Sequence, residues 1–127
     1  MKAKQLEKII LSEMSKANIV FARDIVLADN ELFKPLFNMV IREEDPLSRR
    51  AIWVLDILTE IKPELLKKEQ IIKLIDSLEN HSHEALVRHS LRILARYNIP
   101  ESHQGKLVSS CFDFLLDPKT SIASKAW

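Results

Sequence analysis

The chain has 127 residues, with one glycine, five prolines and a single cysteine. Nineteen basic and eighteen acidic residues leave a net charge of +1, and 46% of the residues are apolar. This composition excludes a turn-rich β protein, a disulfide-stapled secreted domain and a strongly basic nucleic-acid-binding domain, and leaves a helix-forming chain long enough for one core.

The first helix is predicted from about Lys2 to Ser15, where Leu6, Ile9, Ile10 and Met14 recur at helical spacing. Asn18 is the expected start of a second helix carrying Ile19, Phe21, Ala22, Ile25 and Val26. Asn30 is a good N-cap for a third helix, with Pro35 in its first turn and Phe33, Leu36, Phe37 and Val40 as its apolar stripe. Asp45-Pro46 reads as N-cap and first residue of a fourth helix, which runs through Leu58, and Pro63 marks the next junction.

Ile71, Leu74, Ile75 and Leu78 place a fifth helix 38 residues after the third. The sixth begins near Ser82 and ends around Tyr97. Its residues Leu86, Ser90, Ile93, Leu94 and Tyr97 repeat Leu47, Ala51, Val54, Leu55 and Leu58 at an offset of 39. Leu107, Ser110, Cys111 and Phe114 give a seventh helix, and Asp117-Pro118 repeats the start signal before Ile122 and Ala126. Both helices of each pair keep the same offsets within a residue or so of loop variation, as tandem two-helix units do when neither buries its apolar face alone. The expected fold is all-α: a right-handed solenoid, or armadillo-type superhelix, of antiparallel helix pairs with about seven or eight helices. Residues 1–127 form one domain in this reading. Residues 1–29 are an atypical first hairpin, and 30–66, 67–104 and 105–127 are repeats, the last incomplete.

The segments Asp45-Pro46-Leu47-Ser48-Arg49-Arg50-Ala51 and Ala85-Leu86-Val87-Arg88-His89-Ser90 resemble the second-helix start of HEAT-like repeats, with a turn Asp, an aliphatic, a basic and a small residue. The resemblance covers roughly Asn30 to Trp127 and implies a protein-interaction or scaffold role. More narrowly, Arg50-Ala51-Ile52-Trp53-Val54-Leu55 and Cys111-Phe112-Asp113-Phe114-Leu115 resemble a group of small Bacteroidetes helical proteins. Some of those bear an adenylosuccinate lyase label. That family's serine- and glycine-rich catalytic loop has no counterpart here, where Gly105 stands alone.

Arg88, Arg92 and Arg96 stand at i, i+4 and i+8 on one helix face, beside the apolar stripe. Arg49 and Trp53 are the repeat equivalents of Arg88 and Arg92, and Arg50 of His89. These seven residues are the candidate partner or anion-binding surface, because guanidinium groups hold carboxylates or phosphates bidentately and an indole can stack on them. The simpler alternative is a solvated, mutually paired face, with Glu84 against Arg88 and Asp56 or Glu60 against Arg92 or Arg96.

His81, His83, His89 and His103 lack metal-ligand spacing, and Cys111 sits in an apolar stripe like an inert core thiol. No catalytic residue, metal or cofactor is expected. A protein or peptide partner is the leading expectation, with self-association through the C-terminal repeat as a further route. The alternative is nucleic acid: an alkylpurine DNA glycosylase family resembles HEAT repeats, and Asp56 or Asp113 would then be its acid. The first residues lack an apolar signal core and no stretch reaches the roughly 18 apolar residues of a membrane span, so the expected setting is cytoplasmic.

Overall fold

The computed structural model describes residues 2–80 and 84–116. Among them are seven α helices and no strand: α1 (Ala3–Ser12), α2 (Lys16–Ala28), α3 (Phe33–Ile41), α4 (Leu47–Ile61), α5 (Lys68–Ser77), α6 (Glu84–Leu94) and α7 (Glu101–Leu116). The chain divides into two compact units, residues 1–65 and 66–127.

In the first unit α4 is the central element and packs against α1, α2 and α3. Its stripe Leu47, Ala51, Val54, Leu55 and Leu58 is buried, as is the α3 stripe Phe33, Leu36, Phe37 and Val40. Each large aliphatic side chain in such a seam contributes about 2 kcal/mol of transfer free energy. The first hairpin adds Leu6, Ile10, Ile19, Ala22 and Val26. Two residues of the predicted stripes are exposed: Met14 falls beyond the end of α1, and Phe21 is 54% exposed on the outer side of α2.

The helix starts differ from expectation in ways that polar side chains explain. The break between the first two helices is at Ser15, whose hydroxyl accepts from the Asn18 N–H at 3.2 Å and caps α2. Asn18 is therefore inside α2, and its amide donates to the carbonyls of Ile9 (2.8 Å) and Glu13 (2.9 Å), closing the end of α1. Asp29, not Asn30, accepts from the Glu31 N–H, and a 3-10 turn over Asn30–Leu32 leads into α3 with Pro35 in its first turn. At the start of α4 the N-cap position is Pro46, which has no side-chain acceptor to cap the helix. Ser48 ties the two helices together. Its hydroxyl donates to the Met39 carbonyl at 2.6 Å and accepts from the Glu44 N–H at 2.9 Å, joining the end of α3 to the start of α4.

In the second unit α5 packs against α6 and α7. Ile71, Leu74, Ile75 and Leu78 of the α5 segment are buried, with Leu86, Ile93 and Leu94 of α6. The expected continuation of α6 to Tyr97 is not α-helical. The N–H groups of Arg96 and Tyr97 bond three residues back, to Ile93 and Leu94, so the last turn tightens and the chain leaves toward Pro100. No side chain of α7 is fully buried. Leu107, Ser110, Cys111 and Phe114 are half-buried on its inner side, while Val108, Phe112, Leu115 and Leu116 are exposed. The predicted eighth helix, with Ile122 and Ala126, lies outside the described residues, as does the expected sixth-helix start at Ser82.

Ser90 occupies the repeat position of Ala51, is fully buried, and has no hydrogen-bond partner for its hydroxyl among the described residues. An unsatisfied buried hydroxyl costs about 1–3 kcal/mol. Ser90→Ala is therefore expected to stabilise the protein by about 1 kcal/mol in urea unfolding. A loss of stability in that measurement would mean that the hydroxyl is paired in solution.

Candidate functional site

α4 and α6 carry the seven residues singled out from sequence, α4 in the first unit and α6 with its exit in the second. On α4, Arg49 is half-buried with its Nε 3.2 Å from Asp45 Oδ1, one helical turn away. The Nε hydrogen is not aimed at that oxygen, so the contact is an ion pair without a hydrogen bond. Exposed pairs of this kind contribute only about 0.3–0.5 kcal/mol. Trp53, one turn further on, is half-buried.

Arg50 leaves the candidate surface. It is rotated about 100° around the helix from Arg49, and its Nη1 donates to the carbonyls of Ile10 (3.3 Å) and Leu11 (3.0 Å). Those are carbonyls of the last turn of α1, where orphan acceptors and the negative end of the helix dipole favour a cation. The guanidinium is a structural tie between α1 and α4.

On α6 the arginines diverge less. Arg92 is exposed and Arg88 half-buried on the same face. His89 is buried among the core residues and leaves the surface. Arg96 is half-buried but follows the tightened last turn, so it is not in regular α register with the other two. Over residues 84–96 the sequence carries three arginines and one acid, Glu84. Asp56, weighed from sequence as an acid, is buried on α4, and Asp113 is exposed on α7.

The same unit holds a groove of about 290 Å³ between α6 and α7, lined by Leu91, Leu94, Tyr97, Ile99, Leu107 and Cys111 together with Ala95. Sequence spacing placed Cys111 in a closed core. It is half-buried instead, and burial pushes its thiol above the ordinary value, which disfavours the thiolate. The groove arises where the chain leaves α6 and turns into α7, a geometry that helical periodicity does not register.

A second cluster, unmarked in the sequence, ties α7 to α5. Asp76 Oδ1 is 3.2 Å from His103 Nε2 and 3.0 Å from Lys106 Nζ, and Ser102 Oγ is 2.9 Å from His103 Nδ1. The residue types are those of an acyl-transfer triad. Here, however, Lys106 shares the carboxylate oxygen and Asp76 is open to water, an arrangement suited to docking a helix. The Lys106 hydrogen bond holds the Asp76 carboxyl below its ordinary value; slight desolvation opposes this, and the charges of Lys106 and His103 add to it. The same bond raises the Lys106 amine. A depressed carboxyl contributes stability above its unfolded value and loses it as pH falls through the folded one. Stability should therefore decline below about pH 4, and Asp76→Asn should remove this part of the decline. The effect is small because the pair is exposed. Identical acid limbs for the two proteins in urea unfolding would show that the cluster carries no such linkage.

Of the four histidines, His81 and His83 lie outside the described residues, and the described ones form no metal-binding group with Cys, Asp or Glu. Among the described residues no helix is long and apolar enough to cross a membrane. The family profile of the HEAT repeat domain matches residues 5–127. The chain belongs to the HEAT repeat family. Its helical pairs and buried seams are those of a HEAT repeat protein, and the match includes the first hairpin that sequence spacing set apart as atypical. Neither a curated protein nor a solved structure matches this HEAT repeat protein.

Proposed function

We propose that this HEAT repeat protein is a non-enzymatic interaction module. It contacts a protein partner through the second-helix faces: Arg49 and Trp53 on α4, and Arg88 and Arg92 on α6 with Arg96 beyond it. HEAT repeats generally mediate protein–protein contact or scaffolding, and the match runs over residues 5–127. The observation that carries the reading is the face of α6, where Arg88 and Arg92 stand one turn apart with Glu84 as the only acid of the helix. Guanidinium groups so placed suit carboxylates on a partner.

The test is affinity capture with the purified protein and with the Arg88→Glu/Arg92→Glu double variant. A stoichiometric partner should be retained by the first and lost by the second, while both give the same circular dichroism and melting midpoint. Equal retention of that partner by the two proteins would refute the assignment of this face.

A further inference from the structure

The arginine face and the apolar groove of the second unit meet on one helix. On α6 and its exit, Arg88, Leu91, Arg92 and Ala95 stand at i, i+3, i+4 and i+7, so they share a face. Leu91 and Ala95 also line the groove, whose other wall includes Leu107 and Cys111 of α7. Charge and oily surface are thus continuous within one compact unit, over roughly 10 Å of helix.

Resting on the interaction reading above, we infer that this surface seats an acidic amphipathic helix of a protein partner. Two aliphatic side chains of that helix fill the groove, and carboxylates one turn away meet Arg88 and Arg92. The groove volume, about 290 Å³, equals that of about ten waters in the liquid. Waters there would face mostly hydrocarbon, so aliphatic groups displace them favourably. The excess of arginine over acid in residues 84–96 favours acids on the partner. Each guanidinium presents five N–H donors in a planar fork, which suits bidentate contact with a carboxylate. A polynucleotide would meet the arginines equally well but would leave the groove unfilled. An apolar anchor one turn from a carboxylate is the pattern of a helix laid in a groove.

Cys111 is the sole cysteine, so its alkylation reports the groove independently of the arginines. The probe is a fluorescein-labelled helical peptide of about sixteen residues, with Leu at i, i+3, i+4 and i+7 and Glu between them. Controls are the same peptide with Lys for Glu and a single-stranded oligonucleotide. The Glu peptide should bind in fluorescence anisotropy and slow N-ethylmaleimide modification of Cys111. Arg88→Glu/Arg92→Glu and, separately, Ala95→Trp should each weaken binding at least roughly tenfold. Ala95 is exposed, so the indole plugs the groove without entering the core, and Ala95→Glu is a smaller second variant should α7 be disturbed.

No binding of the Glu peptide overturns the inference. So does binding that leaves Cys111 modification unchanged and ignores both Ala95 variants, even when the arginine variant loses the captured partner. In that case the arginine face stands and the groove does not. Tighter binding of the oligonucleotide than of the peptide, falling steeply with salt, would assign the face to nucleic acid instead.

Discussion

Leu55→Ala should lower stability by about 3 kcal/mol, within the range of roughly 2–5 kcal/mol for large-to-small changes in well-packed cores. Leu55 is 0% exposed in the middle of α4, the helix against which α1, α2 and α3 all pack. Its neighbours one turn away, Ala51 and Leu58, and the adjacent Val54 are also buried. Those side chains are held by helices on several sides, so the site has little freedom to collapse into the space left behind. Both the lost transfer free energy and the residual cavity then count. A thermal melt should show the midpoint falling by more than roughly 10 °C. A drop under about 1 kcal/mol in urea unfolding, with unchanged m, would mean that α4 does not sit at the centre of a shared core.

Ser48→Ala is the second large effect, expected at about 2 kcal/mol. The hydroxyl is buried and engaged twice, as donor to Met39 and as acceptor from Glu44. Its removal leaves the Met39 carbonyl and the Glu44 N–H unmatched where α3 hands over to α4, and buried polar groups without partners are costly. Ser90→Ala is the same substitution with the opposite expected sign, because the Ser90 hydroxyl has no partner among the described residues to lose. Measuring both in one urea series compares deletion of a paired and of an unpaired hydroxyl. Two losses of equal size would defeat the argument.

How far these features could be read beforehand depends on the distance over which they act. The stripes of α3, α4 and α5 were legible because burial repeats every three to four residues whenever a helix packs on one side. Leu55 and Leu94, the repeat partners on which the solenoid reading rested, are 0% and 1% exposed. The α6 arginine spacing was legible for the same reason. The fates of Arg49 and Arg50 were not. The two are neighbours in the chain, yet one meets an acid four residues away and the other the carbonyls of a helix 39 and 40 residues earlier. The same holds for Arg88 and His89, where a rotation of about 100° separates surface from core. Phe21 shows the reverse case, an apolar residue at helical spacing that no neighbouring element covers.

Local order was thus encoded in the chain itself: helices, their pairing into repeats, and the side of each helix that turns inward. Periodicity suffices there, because hydrophobic burial is non-directional and rewards any apolar stripe that finds a neighbour. Polar partners, the groove between α6 and α7, and the docking of α7 on α5 through Asp76, His103 and Lys106 depended on folding. Hydrogen bonds and ion pairs act only at short range and fixed angle, so they form where distant segments happen to meet.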